Sequence, residues 1–164
     1  MIHGQRPRSL GREDLGRLET LLLGFVESAG ARCAVLMDRS GRLLTMAGRT
    51  EGIDGVAFAS LAAADFAASD QLARLMGEEE CTSLVHQGDA RSMFLADVDG
   101  DAVLAAVFDD DTTLGLVRLK AREVAPELAA LFAAAAQREP EPGESLAADW
   151  ASAAASEIDR LFSE

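Results

Sequence analysis

At 164 residues the chain is long enough for one domain with a real core and a tail. Its formal net charge is −13, and Lys120 is its one lysine. An acidic balance of this size, with no Lys/Arg cluster interleaved with aromatics, argues against nucleic acid or an anionic membrane surface as a partner.

The N-terminal stretch MIHGQRPRSLGREDL is polar, with no apolar signal core, and Leu21 to Val26 is too short to span a bilayer. A cytoplasmic protein with no membrane insertion is expected. Residues 1–8 read as a loose lead-in, 9–136 as the folded domain, 137–145 as a linker and 146–164 as an amphipathic segment. Ser9 is placed to cap a first helix. Leu15, Leu18, Leu22, Phe25 and Val26 share one face of it, Glu13, Asp14, Arg17 and Glu27 lie mostly away, and Gly30 stops it. Cys33–Met37 reads as a strand, Asp38-Arg39-Ser40-Gly41 as a turn, and Arg42–Ala47 as the returning strand. Cys33 and Cys81 make no metal-ligand spacing and read as reduced structural thiols.

Asp54 caps a long second helix that runs to about Met76 and ends at Gly77. It has two stripes. Phe58, Leu61, Leu72 and Leu75 are bulky and are expected to face the sheet. Ala57, Ser60, Ala64 and Ala67 are small, and either admit the backbone of a partner or serve simply as helix formers.

Glu78–Glu80 is a solvated acidic loop. Cys81–Gln87 is a third strand whose polar character suits an edge. Gly88-Asp89 turns the chain into a fourth strand, Ser92–Ala96, and Asp99-Gly100 is a hairpin turn. Ala102–Phe108 is apolar without alternation, so both its faces are covered and it belongs at the centre of the sheet. Asp109, Asp110 and Asp111 end it, and Thr112 or Thr113 caps a third helix through Leu114, Val117 and Ala121. Pro126 is expected to kink that helix or to start a second segment, with Leu128, Leu131 and Phe132 continuing to about Ala136. In the last segment Leu146, Trp150, Ala154, Ile158, Leu161 and Phe162 repeat at helical spacing. So short a helix is unstable alone, which favours docking on a partner over docking on its own domain.

Nothing in the chain reads as an active site. It has no GxxxxGK[ST] phosphate loop, no GxSxG elbow and no HExxH. His86, before a tight turn, reads as a structural hydrogen-bonder, and the three consecutive aspartates as a helix start, not a cation loop. No catalytic residue, metal or cofactor is assigned, and a protein that is not an enzyme is expected.

Four stretches in this order, CAVLMDRSGRLLTMAG, LARLMGEEE, VHQGDARSMFL and VFDDDTTLGLVRLKAREV, resemble the Roadblock/dynein light-chain family, and within it the bacterial MglB branch. The terminal IDRLFSE is similar to the tail of that branch. The resemblance implies a profilin-like α+β sandwich: a five-stranded antiparallel sheet, with the long second helix on one face and the first and third on the other. It implies homodimers through the third strand, at Thr82, Ser83, Leu84, Val85 and His86, and through second helices packed together, with Leu72 among the contacts. It implies a Ras-like small GTPase of the MglA type as partner, in polarity and motility control, with GTP hydrolysis stimulated without an arginine finger. The contacts implied are Ala57, Ser60, Leu61, Ala64, Ala67, Ala68 and Gln71 on the second helix and Trp150, Ile158, Leu161 and Phe162 on the tail. Asp65, Asp70 and Gln71 depart from the small residues usual on this helix, and such groups are expected to hold a partner's backbone off. A scaffold that joins other Roadblock proteins or a GTPase without activating it is the alternative. A small-molecule sensor needs a pocket with convergent polar groups, and the apolar continuity of the strands argues against one.

Overall fold

In the computed structural model, which describes residues 10–138, the first helix, α1, spans Arg12–Ala29. Its N-cap is Gly11; Ser9, the expected cap, lies outside the described residues. The Asp14 carboxylate reaches back to accept the Gly11 N–H at 3.0 Å. Asp14 is therefore not on the solvent side where periodicity places it. It is buried, and Arg138 closes over it as an ion pair. A carboxylate in the first turn also meets the positive end of the helix dipole. Gly30, at φ 64°, ends the helix in the left-handed conformation that favours glycine.

Strands β1 (Cys33–Asp38) and β2 (Leu43–Gly48) form the first hairpin. Asp38 organises its turn, with Oδ1 accepting from Ser40 Oγ and from the N–H groups of Ser40 and Arg42. Partial burial alone would push this carboxyl up. The hydrogen bonds and the Arg42 guanidinium outweigh it and hold the group below its ordinary 3.8. A depressed folded value means that the ionised group adds stability above the unfolded value, and that this is lost as pH falls through the folded one. Asp38→Ala is thus expected to cost about 1 kcal/mol at neutral pH. The difference from the parent should shrink in urea titrations as pH falls below the ordinary 3.8, and a pH-independent difference would contradict it.

Strands β3 (Ser83–Gln87), β4 (Ser92–Val98) and β5 (Ala102–Phe108) complete one antiparallel sheet of order β2-β1-β5-β4-β3. The apolar run expected at the centre is there: β5 pairs with β1 on one side and β4 on the other. Asp99 at φ 52° and Gly100 at φ 72° supply the two positive values a tight hairpin turn requires.

Helix α3 runs Leu114–Gln137, and Thr113 caps it by accepting the Leu116 N–H. Thr112 instead donates to the Ala29 carbonyl, which ties the start of α3 to the end of α1. Pro126 neither ends the helix nor starts a second segment. Both Pro126 and Arg122, whose carbonyl loses its partner, are exposed, so the freed group is open to solvent.

The sheet separates two cores. Leu18, Leu22 and Phe25 of α1 and Leu128 and Phe132 of α3 pack on Leu36, Phe94 and Leu104. On the other face Val35, Met37, Leu95 and Val103 meet the remaining helix, α2 (Gly55–Leu75). Burying each such large side chain is worth roughly 1.5–3 kcal/mol. No described helix is long and apolar enough to cross a membrane.

Candidate partner surface on the second helix

Helix α2 starts where Asp54 accepts the Ala57 N–H, as its sequence suggests. Its orientation corrects the sequence reading. The sheet face is Ala59, Ala62, Ala63, Phe66 and Ala73, with Phe58 half-buried beside them. Leu61 is 72% exposed, Leu72 59% and Leu75 84%, so three of the four bulky residues expected in the core face solvent. Alanines inside allow a close approach: a Cβ on Gly41, in the first hairpin turn, would stand 3.0 Å from the Ser60 Cα. Large apolar groups left outside a helix that already has a core face make an exposed apolar surface, the kind of feature that singles out a candidate interaction site.

The small stripe does lie outward, since Ala57, Ser60, Ala64, Ala67, Ala68 and Gln71 are all exposed. Asp70 corrects a second expectation. It accepts the Cys81 N–H at 2.8 Å and pairs with Arg74 at 3.0 Å. Its carboxylate latches the end of α2 to the approach to β3 and does not stand in a partner's way. Asp65 is also engaged: Oδ2 lies 2.6 Å from Nε2 of His86 on β3. His86 is a hydrogen-bonder, as expected, but to a helix.

The Asp65–His86 contact fixes which side of α2 faces β3. At about 100° per residue, Leu61, Asp65 and Leu72 point toward the β3 edge. Ala57, Ser60, Ala64, Ala67 and Gln71 point up and away, and Ala68 lies between the two strips.

Strand β3 is an edge, paired with β4 alone. It begins at Ser83, two residues later than expected. The Cys81 N–H is committed to Asp70, and its thiol donates to the Ser83 carbonyl. Thr82 precedes the strand, although its carbonyl accepts the Asp97 N–H. Leu84 and Val85 are half-buried and His86 is exposed. Burial holds the Cys33 and Cys81 thiols above their ordinary 9.0, which keeps both protonated and poorly nucleophilic at neutral pH.

Among the described residues no group of His, Cys, Asp and Glu is arranged to hold a metal ion. A shallow groove between α1 and α3 is lined by Leu21, Phe25, Lys120 and Glu123, and its lysine is already paired with the glutamate at 2.7 Å. Helix α3 takes in Gln137, and Arg138 is its C-cap, so the expected linker loses its first two residues. Trp150, Ile158, Leu161 and Phe162 lie outside the described residues.

The chain matches the family model of the Roadblock/LC7 domain over residues 17–108. It is similar to Myxococcus xanthus MglB at 32% identity and a TM-score of 0.73, over 80% of this chain and 98% of that one. An MglB with tetrameric arrangement is 30% identical at a TM-score of 0.73, over 77% and 95%. The gliding protein MglB from Thermus thermophilus is 30% identical at 0.69, over 74% and 93%. No curated protein matches.

Proposed function

Because this chain belongs to the Roadblock/LC7 family, we propose that it is a homodimeric regulator that binds a small Ras-like GTPase of the MglA type and stimulates its GTP hydrolysis. The observation that carries this reading is α2, apolar on its outer surface after its sheet face is filled and set beside an unpaired edge strand. Similarity to MglB proteins supports it, one of them a gliding protein and one with a tetrameric arrangement. We assign the outer strip, Ala57, Ser60, Ala64, Ala67 and Gln71, to the GTPase. Leu72 and β3 go to the second copy. The segment carrying Trp150, Ile158, Leu161 and Phe162 is assigned as a further GTPase contact that adds avidity through its tether. The protein acts in polarity and motility control within the cytoplasm.

Arg74 is the one arginine on α2, and Asp70 holds it. Stimulation therefore works by stabilising a competent switch arrangement in the GTPase. In GTP turnover assays the GTPase should accelerate saturably on addition of this protein, which alone should hydrolyse nothing. Arg74→Ala should retain the acceleration within a few-fold, whereas loss of an arginine finger costs about 10³–10⁵. Turnover by the pure protein, or collapse of stimulation in Arg74→Ala, would overturn the mechanism. Gln71, polar among small residues, favours a second reading as a scaffold, for which the same assay would give binding without acceleration.

A further inference from the structure

On the other face of the sheet, the groove between α1 and α3 has an apolar floor of Leu21, Phe25 and Val124. Lys120 stands on one wall, with its ammonium already on Glu123. The opposite wall is Thr20, Gly24 and Ser28, one turn apart on α1 and all exposed. Neither hydroxyl is offered outward. Thr20 donates to the Gly16 carbonyl at 2.9 Å, and Ser28 to the Phe25 carbonyl at 3.2 Å. Gly16 continues the row one turn earlier and is also exposed. A Cβ on Gly16 or Gly24 would meet nothing within 4 Å, so the domain's own packing does not call for glycine at either position. Glycine is a poor helix former, and its place inside a helix is explained where another backbone comes close.

We propose that this groove is the docking site of the chain's own C-terminal segment, residues 146–162, laid as a helix along α1. The place where the chain leaves the described residues argues for this occupant. Arg138, the C-cap of α3, pairs with Asp14 in the first turn of α1, so the tail departs beside the start of α1. At 1.5 Å per residue, the wall from Thr20 to Ser28 lies about 9 to 21 Å further along that helix. Residues 139–145 span up to about 24 Å when extended, enough to turn the chain back over the end of α3. Trp150, Ala154 and Ile158 share one face through their spacing of four. From Trp150 to Ile158 a helix covers about 12 Å, the length of the Thr20–Ser28 wall. With Trp150 at the Thr20 end, Ala154 comes opposite Gly24, where two small residues let the backbones approach, and Ile158 comes opposite Ser28. The apolar floor supplies the stability that so short a helix lacks alone. The GTPase contact assigned above uses the same apolar face, so the groove holds the tail until the GTPase takes it. That competition rests on the proposed function; the docking itself does not.

Trp150 is the chain's one tryptophan, so its fluorescence reports on this segment alone. In the full chain its emission should be blue-shifted from that of an indole in water. Gly24→Gln should move it to the red, because the new side chain fills the groove. The domain should keep its fold by circular dichroism, since the added Cβ meets nothing and glutamine is the better helix former. Leu23→Gln, exposed on the side of α1 turned away from α3, is the control and should leave the emission unchanged. A solvent-exposed indole in the unaltered protein, no shift in Gly24→Gln, or an equal shift in Leu23→Gln would overturn the proposal. So would recovery of the blue emission when Gly24→Gln protein is mixed with a Trp150→Phe chain, which places the tail in the groove of a second copy. None of these readouts involves the GTPase, so failure here leaves the proposed function standing, and failure of that function leaves the docking to be judged by the emission alone.

Discussion

Arginine at Ala64 or at Ala67 should weaken binding of the GTPase by about a hundredfold or more and leave the homodimer intact. Packed helices sit about 8–10 Å apart, a spacing small side chains permit. A guanidinium there must either force the partner away or be buried unpaired, at a cost of several kcal/mol. A loss of about 2.7 kcal/mol already gives the hundredfold. Folding should be unaffected, because both positions are exposed on α2 and arginine is a good helix former. The dimer should be spared because both side chains leave the helix on the strip that points away from β3, opposite the Asp65–His86 contact. Calorimetric titration measures the affinity, and light scattering the assembly. Unchanged affinity in both variants would detach the outer strip from GTPase binding.

The outward face of that strip was legible in the sequence, and the orientation of the rest of the helix was not. Residues 57, 60, 64 and 67 share a face by period alone, and the face is exposed. The period does not say which of two apolar faces turns inward. Leucine is a better core residue than alanine by transfer energy, so Leu61, Leu72 and Leu75 were expected inside. The fold prefers alanine there because the β1–β2 turn comes so close that a Cβ on Gly41 would stand 3.0 Å from the Ser60 Cα and 3.5 Å from the Ala63 Cβ. The elements read without error carry local signals that no tertiary contact overrides: the unalternating β5, the Asp99-Gly100 turn, and the cap at Asp54; at the third helix the structure chooses Thr113 from the two threonines read as caps. Those misread depend on contacts distant in sequence. Asp14 is buried because Arg138 reaches it, and Asp70 turns inward because the Cys81 N–H is free to take it. Of the two readings of Pro126, a second segment starting there is excluded, because one helix runs through it.

Val85→Pro should convert the dimer to a monomer with little damage to the fold. The alternation of the β3–β4 ladder decides this. Thr82 and Asp97 face each other, and the Thr82 carbonyl accepts the Asp97 N–H. With Ser83 opposite Ala96 and Leu84 opposite Leu95, the N–H of Leu84 points toward β4 and that of Val85 toward the open edge. Proline at an outward position costs the chain no internal ladder bond, which is where edge strands tolerate it. In an antiparallel pairing centred on Val85, symmetry removes two central hydrogen bonds at once, and each ring clashes with the opposing strand. Two bonds at about 1 kcal/mol each, plus the clash, exceed the roughly 2.7 kcal/mol that corresponds to a hundredfold. Leu84→Pro is the control with the opposite outcome. It removes a bond to β4 and takes a side chain out of the α2-side core, so it should cost about 3 kcal/mol or more in stability. Light scattering and thermal melts on the two variants separate these effects. A Val85→Pro protein that stays dimeric at low micromolar concentration would show that β3 is not the edge at which the copies meet.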